Sequence, residues 1–298
     1  RTCRACQGAT GSFGARNLME TLLLPFQFEF MRFAFWGAIL LSVPMSLLSC
    51  FLILKGWSLM GDAVSHAVLP GIVLAYILGA PLAIGAFFAG LFCAIATGFI
   101  AENTRVKQDT VMGIVFSGMF AIGLVMYTAI QSDVHLDHIL YGNILGLVRF
   151  DLIEVALVAV LVGGGILLRW RDLLLCAFDA AQAKAAGLPV RFLHYALLIA
   201  LSMTIVSALK SVGIILAISF LIAPGELAFL LTREFYKMMT VSFLVALSSS
   251  FIGVYASFFL NSAPAATIVL VMTVFFIAAF ITTQWRQKKM SSSLGSDF

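Results

Sequence analysis

Continuous apolar runs of about twenty residues, one after another, constrain this chain more than any other feature. A run of that length crosses a bilayer as an α-helix, because a helix satisfies every backbone N–H and C=O within its own segment. The runs lack the residue-by-residue alternation of a transmembrane β-barrel. Composition agrees: 62% of the 298 residues are hydrophobic and 11% are charged, against about 25% charged in soluble domains. The expected fold is an all-α polytopic membrane protein with eight to ten transmembrane helices.

The runs place spans at 31–54, 59–78, 82–101, 110–130, 152–168, 194–209, 212–231, 239–260 and 265–283. Pro44 is expected to kink the first. Residues 19–30, broken by Pro25, read as an interfacial lead-in, and 79–81 as a tight turn. The stretch 169–192 is too short and polar to cross, and its Ala-rich centre reads as a short helix stopped by Gly187 and Pro189. Residues 1–18 are polar, glycine-rich and basic, and are expected to lie outside the fold as an extension. That leaves one transmembrane domain over 19–288 and a tail over 289–298.

Basic residues recur in alternate connections: Lys55, Arg105 with Lys107, Arg169 to Arg191, Arg233 with Lys237, and Arg286 to Lys289. The positive-inside rule assigns these, and the C-terminus, to the cytoplasm. The connections near Asp133, Lys210 and Asn261 are poor in basic residues and are expected to face outward.

Within KGWSLMGDAVSHAVLPGI, residues 55–72, Asp62 and His66 stand four residues apart. That spacing puts both side chains on one helix face. Carboxylates inside spanning helices cost about 2.5–3.5 kcal/mol on insertion scales and usually mark a pathway or ion site. An Asp with an imidazole one turn away suits a divalent transition metal. The same pair also suits a hydrogen-bonded contact between helices, and the two residues alone leave both readings open.

Other polar residues carry weaker signals. Glu226 follows a Pro-Gly break in an apolar span, where it either lines a pathway or accepts from backbone donors that the break frees. Lys210 and Ser211 sit at a span edge, where snorkelling is the default. Asp133, His135, Asp137 and His138 cluster in the long polar loop and are metal-ligand types, though four such residues in a solvated loop are more often simply a hydrophilic surface. Cys3 and Cys6 form one CxxC with no second pair, a weak metal signal, and Cys50, Cys93 and Cys176 read as small core residues. No lysine follows a glycine, so a P-loop is absent, as are HExxH and GxSxG. The alanine-rich FDAAQAKAAGLPV segment buries too little apolar area to anchor in lipid, which favours docking to a partner.

The 55–71 stretch resembles the signature of the membrane subunits of manganese/iron/zinc-type ABC importers. YGNILG at 141–146, the D-x3-A-x3-G pattern at Asp179, Ala183 and Gly187, the VGIILAISFLIAPGELA span and NSAPAATIVL at 261–270 follow in the same order. The likeness runs from about Met19 to Arg286 and is nearest to the chelated-iron/manganese permeases of enteric bacteria. It implies a permease of the bacterial inner membrane that is not itself an enzyme. It further implies a second membrane subunit, identical or paralogous, separate cytoplasmic ATP-binding subunits that use the ATP, and a periplasmic metal-binding protein. No permanently bound cofactor is implied; Mn2+, Fe2+ or Zn2+ is cargo. Asp62 and His66 match the pair that gates and transiently coordinates the metal, with Gly61, Ser65, Pro70 and Gly71 as the packing residues of that motif. Asp179, Ala183 and Gly187 match the helix that couples to the ATPase. Glu226 departs from the small or hydroxyl residue usual after the Pro-Gly step, which leaves its role as a pathway residue open. A proton-coupled secondary metal transporter and an importer of metal chelates are the alternatives; the first needs more intramembrane carboxylates and the second a wider pocket.

Overall fold

The computed structural model describes residues 24–57, 59–106, 108–129 and 144–294. All regular elements among them are helical. In chain order they are α1 (Glu29–Leu54), α2 (Met60–Ala67), α3 (Leu69–Ile77), α4 (Leu82–Asn103) and α5 (Gln108–Ala129). A 3-10 turn at Ile144–Gly146 leads to α6 (Arg149–Val158), a π-helical segment at Ala159–Gly163 and α7 (Gly164–Phe178). Then come α8 (Ala180–Ala185), α9 (Val190–Val212), α10 (Ile214–Leu231), α11 (Phe235–Leu260) and α12 (Pro264–Leu294). Among the described residues nine stretches are long and apolar enough to cross a membrane, with α2–α3 and α6–α7 each forming one. The protein is a multi-pass integral membrane protein.

The first helix is the hub. Most of α1 is buried, and it packs against α10, α11 and α6. Lipid supplies no hydrophobic drive between helices, so small residues and hydroxyl bonds hold them together. Ser242 Oγ on α11 donates to the Ser46 carbonyl on α1 at 2.9 Å. Ser49 Oγ on α1 donates to the Ile222 carbonyl on α10 at 3.2 Å and accepts the Gly225 N–H at 3.0 Å. Elsewhere, Gly71 on α3 backs directly onto Gly85 on α4, each carbonyl occupying the space a Cβ on the other would need.

Pro44 lies buried inside α1, as expected. Two boundaries differ from expectation. The motif span is interrupted at Val68, because Pro70 has no N–H for the His66 carbonyl four residues back. Val68 N–H turns to that carbonyl instead. The fifth span runs past Leu168 to Phe178, bending at Arg169 (φ −117°, ψ 19°). No Pro or Gly stops it there, and Leu173 and Cys176 keep a buried face going. The short helix is therefore confined to Ala180–Ala185.

Candidate metal pathway and coupling helix

Six of the eight residues of α2 are buried: Met60, Gly61, Ala63, Val64, Ser65 and Ala67. The two that are not are Asp62 and His66. Helical geometry stacks them one turn apart, with His66 Nε2 3.3 Å from Asp62 Oδ1 and side chains 34% and 38% exposed. The imidazole lies beside Phe116 and Phe120 of α5, with ring centroids 6.3 and 5.5 Å away. Neither side chain hydrogen-bonds to another helix among the described residues.

The residues around the pair fix its helix from behind. Ser65 Oγ donates to the Gly61 carbonyl at 2.7 Å, satisfying its hydroxyl within α2. A Cβ on Gly61 would stand 3.0 Å from Leu221 Cδ1, so the glycine lets α2 lie close on α10. Pro70 is covered by Gly123 of α5, and Gly71 by Gly85. A cavity of about 400 Å3 lies on the buried side of this helix, lined by Ser65, Val68, Ile72, Ala86, Val206 and Lys210. Asp62 and His66 do not line it. At its end Lys210 Nζ bonds Asp151 at 2.8 Å and Glu154 at 2.7 Å, so this lysine is paired rather than snorkelling free. Ser211 Oγ donates to the Ser207 carbonyl.

Glu226 is not brought to this site. It lines a groove between α10 and α12 with Ser219, Ile222, Met272, Thr273 and Phe276. The break expected at Pro224 is not there: α10 runs on through the proline, and the Ile222 carbonyl and Gly225 N–H beside it are bonded by Ser49 rather than by the carboxylate. The signal for Ser49 was in the sequence only as one small polar residue among many in α1, and the pairing across 176 positions could not be read from it. Among the described residues no group of three or more His, Cys, Asp or Glu comes together to hold a metal. The Asp133–His138 cluster, Cys3 and Cys6 lie outside the described residues.

The D-x3-A-x3-G pattern builds α8. Asp179 caps its start, accepting the N–H groups of Ala181 at 2.8 Å and Gln182 at 3.0 Å. Ala183 is fully buried against the protein's own helices. Gly187 ends the turn at φ +78°, a left-handed conformation that glycine adopts without a Cβ penalty, and Leu188 N–H closes onto the Ala183 carbonyl at 3.0 Å. Phe178, Ala181, Gln182, Lys184 and Ala185 remain exposed as an outward face.

Comparison with known proteins places these features in a family. Residues 27–283 match the ABC 3 transport family. The chain is 51% identical over 266 residues to the chelated iron transport system membrane protein YfeD of Yersinia pestis, covering 89% of this chain and 90% of that one. It is 43% identical over 275 residues to the manganese transport system membrane protein MntB of Synechocystis, covering 90% of each. Among solved structures, PsaBC from Streptococcus pneumoniae in complex with Fab superposes with a TM-score of 0.77 at 36% identity, covering 88% of this chain and 95% of that chain.

Proposed function

The chain belongs to the ABC 3 transport family, and from that premise we propose that it is the permease subunit that carries Mn2+ or Fe2+, and by the same ligand chemistry Zn2+, across the bacterial inner membrane. The observation that carries this reading is the strip on α2: among eight residues only the carboxylate and the imidazole face away from the protein's own core.

Asp62 supplies a hard oxygen and His66 a borderline nitrogen, a mixed set suited to Mn2+, Fe2+ or Zn2+ without thiolates that would hold zinc too firmly. Two ligands bind weakly, and transport needs a site loose enough to release its ion. A second membrane subunit, identical or paralogous, presenting its own pair would bring the set to about four, the coordination number common for Zn2+ sites. Support for a partner on this side comes from α5, which flanks His66 and is the least buried of the nine spans, at 17%. The named relatives bear on cargo, one being called a chelated iron and the other a manganese system.

Separate ATP-binding subunits drive the cycle, engaging the exposed face of α8, and a periplasmic metal-binding protein delivers the ion to the outer face. Parity of the nine spans among the described residues supports the orientation: it puts the turns after α1, α4, α7 and α10, with their basic residues, at one end together with the C-terminus. The Arg149–Glu29 pair at 3.3 Å joins the starts of α1 and α6 at the opposite end, as that parity requires.

The reading separates from a proton-coupled carrier by its energy source. Vesicles holding both membrane subunits and the ATP-binding subunits, supplied with the metal-binding protein, take up manganese on ATP addition and not on a proton gradient alone. Uptake by this chain alone on a proton gradient contradicts it.

A further inference from the structure

We infer that the groove between the α6–α7 span and α9 is a binding site for the acyl chain and headgroup of an anionic phospholipid. The groove holds about 500 Å3 and is walled by Leu161, Gly165, Phe192, Ala196 and Met203. Its polar groups, Arg169 and Tyr195, lie towards the end that carries α8.

Shape selects the occupant. The wall from Leu161 to Leu173 rises about 18 Å at helical pitch, a little more than one leaflet's share, roughly 15 Å, of the hydrocarbon thickness. A single acyl chain of one leaflet spans that length. The π-helical segment at Ala159–Gly163 supplies Leu161 and Val162 to this wall, and the bend at Arg169 falls within it.

Charge selects the headgroup. Arg169 is 65% exposed on its side chain and makes one long pairing, Nη1 to Asp172 Oδ2 at 3.4 Å. Its five N–H donors exceed what that contact uses. Arg191, next to the wall residue Phe192, and Arg171 add positive charge at the same end. Basic pockets between spanning helices suit phosphate headgroups. Because α7 and α9 flank α8, a lipid seated here braces the base of the proposed docking helix.

The test uses the full chain, with its partner subunits, in lipid nanodiscs carrying a photoactivatable phosphatidylglycerol or the matching phosphatidylcholine. Phosphatidylglycerol is expected to label peptides spanning 161–173 and 192–203 preferentially. Arg169→Gln should cut that labelling about fivefold, the weight of one arginine at an anionic surface. Gly165→Leu should remove it, since a Cβ there meets open space and a longer side chain fills the groove without displacing backbone. Equal labelling by both lipids, absence of label from these peptides, or unchanged labelling in Gly165→Leu each overturns the inference. None of these outcomes depends on metal transport, so the lipid site and the proposed function stand or fall separately.

Discussion

Ser49 and Gly225 clasp α1 to α10: the serine Oγ accepts the glycine N–H at 3.0 Å and returns a bond to the Ile222 carbonyl at 3.2 Å. Pro224 has no N–H to give, so α10 lacks the rung to the Phe220 carbonyl, and beside that weak point the Ser49 hydroxyl ties an acceptor and a donor of α10 to the neighbouring helix. Ser49→Ala leaves both backbone groups without that partner and is expected to cost about 1–2 kcal/mol. Thermal unfolding of the purified protein in one fixed detergent measures it. Gly225→Ala is expected to be at least as damaging, since its Cβ would meet Ser49 Oγ and come 2.9 Å from the Ser49 carbonyl carbon.

The back-to-back glycines make a second prediction. Any side chain at Gly85 meets the Gly71 carbonyl, so Gly85→Val must push α3 away from α4. Overpacking of this kind costs about 1–3 kcal/mol or more. Metal uptake should fall further than folded yield does, because α3 continues the helix that carries Asp62 and His66. Near-normal uptake in Gly85→Val contradicts the close crossing.

Lys210 is expected to behave as an ion-pair anchor. Lys210→Met leaves Asp151 and Glu154 facing each other without their shared cation, and should lower stability by about 1 kcal/mol or somewhat more for a network. Adding Asp151→Asn and Glu154→Gln should restore most of the loss, because the repulsion goes with the charges. Additive losses in the triple variant would show the three groups to be independent.

For α8, Asp179→Ala removes the cap and should weaken the helix by about 1 kcal/mol. The expected readout is fewer metal ions moved per ATP hydrolysed, with Asp179→Asn retaining coupling. Gly187→Trp, placed in a left-handed turn, should uncouple hydrolysis from transport. Wild-type coupling in Gly187→Trp argues against a coupling role.

Local chemistry explains what could be read from the sequence. Span existence followed from apolar run length, and the Asp62–His66 geometry from helical spacing, because both depend on near neighbours. The continuation of α7 past Arg169 was missed because charged residues there suggested an end, while the buried Leu173 and Cys176 kept the helix packed. D-x3-A-x3-G could be recognised as a motif, but its division of labour into cap, packing residue and left-handed stop needed the backbone. Ser49 as the partner of Gly225 depends on two helices meeting, which no local pattern announces.

The central claim is that Asp62 and His66 hold the metal in passage. It is tested most directly by ATP-driven manganese uptake into vesicles containing the complete complex, comparing wild type with Asp62→Ala and His66→Ala and confirming by co-purification that the ATP-binding subunits remain bound. The account predicts that each substitution abolishes uptake while assembly is unchanged. Normal uptake in both variants would contradict it.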